Sequence, residues 1–420
     1  MITGADIVYI SSIEWNFLWQ IHQEVAVRFA EAGNRVLYVE NTGVRSPGLR
    51  DAGRVGLRLK RWMNASRSSG VREVAPNVFV CSPLVLPPFG SPFRRQINRR
   101  LLLPAVKHAA ERLDFKDPLF WTYLPTDTAL DIFELLKTAK SKLLYYCVAD
   151  FSVLASNKAL LKKSEQQLVR QSDLIFATCP ALAGHCEQWT KREIHLFPSG
   201  VDMKAFPVAP NLDYAELLHE PGLIEDLKLL EELKAGGNPV IGYVGGLHRF
   251  VDQDLIAEMA RMRPNWKWVF VGSIQTPVDR ISSLENVYLL GQRPHNDLAY
   301  YLGKFSACII PYINAVETAT VVPVKLKEYL AAEKPVVSTC LPAVVDFNNI
   351  FQVVSMSDAT PANFLHAIEA SFESDSLQER RRRREVAELS DWSARIDLMS
   401  QLIGSLDKNA KVDLSNIVSV

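Results

Sequence analysis

Residues 307–339 constrain the fold of this chain more than any other stretch. Ala307–Ile310 is a short apolar run that predicts a buried strand. Pro323 suits the first turn of a helix, and Pro335 ends that helix before a second apolar run at residues 336–338. The order strand, loop, helix, strand predicts an α/β fold, because helical crossovers join parallel strands.

The helix that begins near Pro323 carries a cation and a carboxylate on one face. Lys325 and Glu328 are three residues apart, so their side chains lie together near the helix N-terminus. This end of a helix attracts anions, since its free N–H groups and its dipole point outward. The pair predicts a nucleoside-diphosphate site, with Lys325 on the phosphates and Glu328 on the ribose hydroxyls. A solvated surface ion pair has the same spacing, and spacing alone does not separate the two interpretations.

The run from Pro323 to Ser338 resembles the donor-site signature of GT-B glycosyltransferases, specifically the bacterial family 4-like (group 1) enzymes of the teichuronic-acid and exopolysaccharide type. In that family the matching lysine binds the donor diphosphate and the matching glutamate binds the ribose. Thr320 stands where the wider family usually has a second glutamate. The resemblance extends over roughly residues 6–402 and includes the strand at 33–40, the turn at 198–202 and the terminal helix at 390–395.

The length of the chain suits two domains. Its 420 residues, 48% of them hydrophobic and 22% charged, are enough for two cores. The resemblance implies an α/β fold with the GT-B architecture, in which two Rossmann-like, doubly wound parallel sheets face a cleft that closes during the reaction. We expect an acceptor-binding domain at residues 1–200, a donor-binding domain at 201–385, and a C-terminal helix and tail at 386–420 that return to the first domain.

Charge excludes one class of partner and favours another. Lys+Arg and Asp+Glu are both 47, so no nucleic-acid partner is expected. Residues 45–100 nevertheless contain twelve basic residues and only two acidic ones. A basic helix is predicted from Phe93, which would either lie on an anionic membrane surface or be an ordinary solvated helix. Five consecutive arginines at residues 380–384 are interpreted as a solvated face.

The six cysteines show no C-x-x-C motif and no metal-ligand pattern with the eight histidines. They predict reduced core thiols in a cytosolic protein, and no metal site. No signal peptide and no apolar run near 18 residues is found, so the expected location is cytoplasmic, with any membrane contact peripheral at the inner face of the plasma membrane.

Candidate residues of the first domain follow its strands. A strand at residues 7–11 leads into a loop and then into a helix over about residues 20–32. Loops that follow strands face the ligand in doubly wound folds, although packing would explain their aromatic residues equally well. The acceptor candidates are Trp15, Asn16, Trp19 and Tyr123.

Inverting sugar transfer needs a general base, and Asp150 after the strand at residues 143–148 is the first candidate. His22 and Glu14 are held in reserve. Members of the family that this chain resembles often have a cluster of carboxylates at this place. This chain keeps the last of them, as Asp150, and has Tyr146 where another would stand. A capping aspartate at a helix N-terminus would look the same.

The second domain begins with a strand at Val240–Val244, and a glycine pair after it would let a diphosphate approach the backbone. The donor-site candidates are Gly245, Gly246, Arg249, Gln292, Arg293, Thr318, Thr320, Lys325 and Glu328. Residues 252–254 read Asp-Gln-Asp and are interpreted as a helix cap, not as a metal-binding D-x-D motif. Residues 41–75 are predicted to be a long loop.

The resemblance implies a metal-independent glycosyltransferase without a cofactor. Its donor would be a nucleotide sugar, with uridine as the expected nucleoside and guanosine as the next. Its acceptor would be a saccharide or lipid-linked hydroxyl in bacterial surface polysaccharide biosynthesis. Two alternatives stay open: a nucleotide-sugar epimerase of the same fold, and a degenerate nucleotide-binding scaffold in a polysaccharide-assembly complex.

Overall fold

The structure is a computed structural model that describes residues 2–16, 19–40, 71–83, 92–153, 157–207, 221–315, 318 and 323–406. These residues form two compact units. Unit 1 is Met1–Pro198 together with Ser393–Ser419, and unit 2 is Ser199–Trp392. Each unit contains one sheet whose central strands are parallel and whose core is apolar.

Unit 1 contains an eight-stranded sheet with the order β3-β4-β2-β1-β5-β6-β7-β8. Its strands are β1 (Asp6–Ile10), β2 (Arg35–Val39), β3 (Val71–Ala75), β4 (Val78–Cys81), β5 (Leu119–Thr122), β6 (Leu143–Cys147), β7 (Leu174–Ala177) and β8 (Ile194–Leu196). Every pair is parallel except β3 with β4. Strands β1, β5, β6 and β7 are buried along their whole length, as continuous apolar runs predict.

The hairpin at the edge of this sheet corrects one prediction. Residues 71–75 were expected to belong to a long loop, yet they pair with β4 as an antiparallel edge strand. Asn77 makes the tight turn between them with a φ of 62°, a conformation that asparagine adopts more readily than most residues. The rest of that predicted loop, residues 41–70, lies outside the described residues.

The described helices of unit 1 are α1 (Ile21–Glu31), α2 (Pro92–Arg112), α3 (Asp127–Leu136), α4 (Lys158–Gln171), α5 (Pro180–Glu187) and, after unit 2, α14 (Trp392–Ser405). Sequence analysis named neither α3 nor α4. Both have a side-chain N-cap: Thr126 accepts from the Ala129 N–H, and Asn157 accepts from the Leu160 N–H. Thr126 and Asn157 are residue types that favour the N-cap position, so they were the local sequence signal that could have predicted these two helices.

Helix α2 is present where a basic helix was predicted, and it has a buried and an exposed face. Asn98, Leu102, Val106 and Ala109 form a buried stripe, while Phe93 and Leu101 are 73% and 41% exposed. Part of its positive charge is neutralised within unit 1, because Arg95 makes an ion pair with Asp131 at 2.7 Å. Contact with an anionic surface therefore stays a prediction. Among the helices of the described ranges, none combines the length and the apolar character needed to cross a bilayer.

Unit 2 contains a six-stranded, fully parallel sheet with the order β11-β10-β9-β12-β13-β14. Its strands are β9 (Val240–Val244), β10 (Lys267–Val271), β11 (Val287–Gly291), β12 (Ala307–Ile310), β13 (Val336–Thr339) and β14 (Ser355–Ser357). Its described helices are α6 (Pro221–Ala235), α7 (Gln253–Met262), α8 (Asp279–Ser282), α9 (Leu298–Lys304), α10 (Val324–Ala331), α11 (Pro342–Phe351), α12 (Pro361–Glu373) and α13 (Leu377–Glu388).

The last strand begins just after an apolar pair, Val353 and Val354, that does not belong to it. The Asn348 side chain accepts a hydrogen bond from the Val354 N–H at 2.9 Å. Gln352 ends helix α11 in the left-handed region with a φ of 52°. The chain is therefore still held to α11 at Val354 and pairs with β13 only from Ser355.

The arginine run on α13 is only partly a solvated face. Arg383 is buried, donates two hydrogen bonds to the Glu333 carbonyl and pairs with Asp375. Arg384 donates to the carbonyls of Phe206 and Ala331. These two side chains stabilise unit 2, so that part of the prediction was wrong.

The cysteines are free thiols, and five of the six are buried as predicted. Cys340 is the exception, because it is exposed.

Candidate functional site

Lys325 lies at the carboxyl ends of two central strands of unit 2. Its Nζ donates to the hydroxyl of Tyr243 on β9 at 3.1 Å and to the hydroxyl of Tyr312, which follows β12. The ammonium group also lies 4.6 Å from the centroid of each of these rings. Two hydrogen bonds and two cation–π contacts fix the position of one positive charge at the end of the sheet where α/β folds bind ligands.

The glycine pair after β9 adjoins this lysine. Gly245 has a φ of 138°, and a Cβ atom there would lie 2.8 Å from Lys325 Cε. Only glycine fits both the backbone conformation and the space. The structure thus brings together Gly245, Gly246 and Lys325, three of the predicted donor-site residues.

Glu328 has its own partner on another element. Its Oε1 lies 3.1 Å from Nε2 of His295, which follows β11, and the His295 ring packs edge-on against Phe206. Lys325 contacts two tyrosines and Glu328 contacts a histidine, so the surface ion pair between them is not the arrangement observed. Sequence analysis missed His295, although it lies two residues beyond the predicted site residue Arg293.

A half-buried histidine completes the surroundings of Lys325. His248 Nε2 lies 3.1 Å from the Tyr312 hydroxyl, and Nδ1 accepts from the Phe250 N–H. Burial, followed by repulsion from Lys325, lowers the pKa of His248 to about 4. The ring is therefore neutral at pH 7 and, with Nδ1 an acceptor, donates from Nε2 to Tyr312. No local sequence signal marked Tyr243, Tyr312 or His248.

The other predicted donor-site residues have different surroundings. Arg293 pairs with the buried Asp226 at 2.6 Å, and the Thr318 hydroxyl bonds to the backbone of Ile313 and Ala315. Gln292 is exposed; Arg249 is exposed and its guanidinium lies over the Phe250 ring. Arg293 and Thr318 thus hold loops in place. Thr320 lies outside the described residues.

The Asp-Gln-Asp run is confirmed as a helix cap. Asp252 accepts a hydrogen bond from the Leu255 N–H at 3.0 Å, and α7 begins at the next residue. Asp254 makes an ion pair with Arg280. The run therefore belongs to the start of a helix.

In unit 1, a buried polar network lies below the loop that follows β1. The His22 ring lies between the hydroxyl oxygens of Ser11, 3.1 Å from Nδ1, and Ser12, 3.4 Å from Nε2. It packs 3.9 Å from the Tyr123 ring, whose hydroxyl bonds to that of Tyr9 at 2.6 Å. Burial lowers the pKa of His22 to about 3, so this histidine is a weak base. Tyr123, a predicted acceptor residue, is fully buried within the network.

The aromatic residues of the loop are anchored to acidic side chains. The backbone N–H of Trp15 donates to Glu40 Oε1 at 2.7 Å, and the indole N–H of Trp19 donates to Glu24 Oε2 at 2.8 Å. Trp19 is 38% exposed, Asn16 is exposed and Glu14 is half-buried. These residues present apolar surface and hydrogen-bonding groups beside β1, which is a suitable surface for a sugar.

Asp150 follows β6 and is half-buried. Its Oδ1 accepts from the Ser152 N–H at 2.9 Å, at the start of a short 3₁₀ turn at Phe151–Val153. The capping contact that the sequence allowed is present. One carboxylate oxygen suffices for this bond, so the contact itself does not prevent a second role.

His22 should make the protein sensitive to acid. Its folded pKa of about 3 is below its ordinary value of 6.5, so below pH 6.5 the unfolded chain binds a proton that the folded chain does not. We expect this group to cost about 3 kcal/mol of stability between pH 7 and pH 4. Denaturant unfolding at both pH values measures the free energy of unfolding. Its decrease from pH 7 to pH 4 should be smaller for His22→Asn than for wild type. The control His108→Asn alters an exposed histidine of the same unit and should behave as wild type.

Part of the chain matches a known protein family. Residues 238–373 match the family described as Glycosyl transferases group 1. A curated relative is "Putative teichuronic acid biosynthesis glycosyltransferase TuaH" of Bacillus subtilis (strain 168), 26% identical over 249 residues. The match covers 56% of this chain and 58% of that protein.

Solved structures share the fold over nearly the whole chain. Sucrose-phosphate synthase from Thermosynechococcus elongatus has a TM-score of 0.67 at 17% identity, covering 97% of this chain and 100% of that one. Anabaena HepE in complex with UDP and glucose has a TM-score of 0.61 at 15% identity, covering 96% and 99%. WaaG, a glycosyltransferase of lipopolysaccharide biosynthesis, has a TM-score of 0.60 at 11% identity, covering 95% and 99%. The fold is GT-B.

Proposed function

We propose that this protein transfers a sugar from a nucleoside-diphosphate donor to a hydroxyl group, because residues 238–373 match the group 1 glycosyl transferase family and the chain has the GT-B fold. One observation carries the proposal: the Lys325 ammonium is fixed beside the Gly245–Gly246 turn, at the carboxyl ends of β9 and β12. A fixed cation next to a glycine turn suits a diphosphate, because the turn has no side chains between the ligand and the backbone N–H groups.

Unit 2 would bind the donor. Lys325 and the N-terminus of α10 offset the negative charge that grows on the departing nucleoside diphosphate, so no metal ion is needed there. Glu328, held by His295, accepts hydrogen bonds from the ribose hydroxyls. The nucleoside of the donor is proposed to be uridine. The complexes of HepE with UDP and with UDP-glucose support this, since HepE has the same fold.

Unit 1 would bind the acceptor, through the loop with Trp15, Asn16 and Trp19. Asp150 is the proposed base, because it is a half-buried carboxylate just after the carboxyl end of β6, where α/β folds place their ligand loops. Glu14 is the reserve. His22 suits the role poorly, because its pKa of about 3 leaves little driving force for proton removal.

The acceptor is proposed to be a saccharide or lipid-linked saccharide of the bacterial cell envelope. The name of the curated relative, with teichuronic acid biosynthesis, supports this class. A lipid-linked acceptor would place the enzyme at the inner face of the plasma membrane. The exposed Phe93 and Leu101 on the basic helix α2 would suit that surface.

The test is acceptor-dependent release of nucleoside diphosphate. Purified protein is incubated with UDP-sugars, with and without oligosaccharide or polyprenyl-linked acceptors, and UDP release is followed. Transfer predicts UDP release that requires an acceptor. Conversion of the sugar nucleotide without an acceptor would instead identify an epimerase, and tight binding without turnover would identify a scaffold.

His295 should position Glu328 for the donor ribose. We expect His295→Ala to raise the donor KM about 10-fold with little change in kcat, since one hydrogen bond to a charged group is lost. His295→Gln should recover most of the affinity, because its amide donates to a carboxylate. His366→Ala changes an exposed histidine of unit 2 and is the control. An equal loss of donor affinity in the alanine and glutamine variants would contradict a positioning role.

A further inference from the structure

Three buried side chains of unit 1, none of them a residue of the proposed donor site, meet in the core of that unit. Cys147 ends β6, Glu165 lies on α4 and Cys186 lies on α5. Both cysteines are fully buried, and Glu165 is 2% exposed. The two Sγ atoms and a carboxylate oxygen of Glu165 all lie within 4.8 Å of one another. Three separate elements therefore deliver ligand atoms to one point in the core.

The carboxylate of this cluster is oriented by two further residues. The Tyr145 hydroxyl donates to Glu165 Oε1 at 2.7 Å, and His185 Nε2 lies 3.0 Å from Oε2. Each carboxylate oxygen accepts one of these bonds and keeps a free lone pair. Metal-binding carboxylates are supported in this way, by hydrogen bonds that fix the ligand before the ion arrives.

We propose that Cys147, Cys186 and Glu165 bind one zinc ion. Two thiolates and a carboxylate suit Zn²⁺, whereas Mg²⁺ and Ca²⁺ require oxygen ligands. The Ala149 carbonyl oxygen lies 4.0 Å from Cys147 Sγ and offers a fourth ligand after a small shift. The ion would fix the end of β6, three residues before Asp150, and its presence does not depend on the proposed function.

Charge balance favours zinc in a buried place. Binding replaces two thiol protons by one divalent cation: Zn²⁺ joins two thiol groups and releases two H⁺. The net charge of the buried cluster is unchanged, so zinc adds no uncompensated charge to the core. A disulfide between the two cysteines would instead need an oxidant and an S–S distance of about 2.05 Å.

The zinc proposal is tested on the full-length protein without using its activity. We expect elemental analysis after incubation with zinc and desalting to find about one zinc ion per chain. Calorimetric titration of the chelator-treated protein in two buffers of different ionisation enthalpy should show about two protons released per ion. Cobalt substitution should give a thiolate-to-cobalt charge-transfer band.

Matched variants separate the cluster from the other thiols. Cys147→Ser with Cys186→Ser should lose the zinc and the cobalt band, while Cys308→Ser, a fully buried cysteine of unit 2, should retain both. Should the double variant fail to fold, Glu165→Gln should still show affinity at least about 10-fold weaker. Three results would each overturn the proposal. The folded wild type could bind no zinc, or the double variant could retain it. Protein purified under reducing conditions could also contain a Cys147–Cys186 disulfide.

Discussion

Replacing Lys325 by methionine is expected to slow sugar transfer strongly while leaving the fold intact. The ammonium group is held by Tyr243 and Tyr312 beside the Gly245 turn, where it would meet the charge on the leaving diphosphate. Removing it should lower kcat/KM about 1,000-fold and weaken binding of the nucleoside diphosphate about 100-fold. Initial rates with saturating acceptor, and a melting curve for each variant, measure both effects.

Two variants show whether position or charge matters at this site. Lys325→Arg keeps the charge, but its longer side chain meets the backbone at Gly245, so we expect only partial activity. Lys228→Met removes an exposed lysine from the same unit and should have wild-type rates. Full activity in Lys325→Met would show that this lysine is held by the tyrosines for structural reasons alone.

Asp150→Asn is expected to have the second largest effect. Asparagine keeps the acceptor for the Ser152 N–H, so the turn after β6 should remain, but it cannot take a proton from the acceptor hydroxyl. Loss of a general base lowers the rate about 100-fold to 10,000-fold. We expect kcat to fall by this amount while donor affinity and melting temperature stay unchanged.

The control for this prediction is Asp114→Asn, which alters an exposed aspartate of the same unit. A variant with unchanged rate would leave Asp150 with its capping role only, and Glu14 would become the next candidate.

The strands named from the sequence could be predicted because burial leaves a local record. Val240–Val244 and Ala307–Ile310 are buried on both faces, so they read as unbroken apolar runs with clear ends. The hairpin strand β3 has only partly buried and exposed residues, and its pattern looked like a loop. Edge strands lack the continuous apolar pattern on which such a prediction depends.

Lys325 and Glu328 were found because one helix carries both. Their partners were missed because Tyr243, Tyr312, His248 and His295 come from other strands and loops, and no spacing in the chain records those contacts. Arg383 was misread for a related reason: its carbonyl and carboxylate partners are distant or lie outside its helix, so a run of five arginines looked solvated. The thiol cluster likewise draws on three elements, without a recognisable ligand motif.

The central claim is that unit 2 binds a nucleoside diphosphate at Lys325. Isothermal titration of the wild-type protein with UDP, GDP, ADP and TDP, without added metal, tests it most directly. The account predicts that one of these, with UDP expected, binds at about one site per chain, and that Lys325→Met weakens this binding about 100-fold. Absence of binding by all four, or equal affinity in the variant, would contradict it.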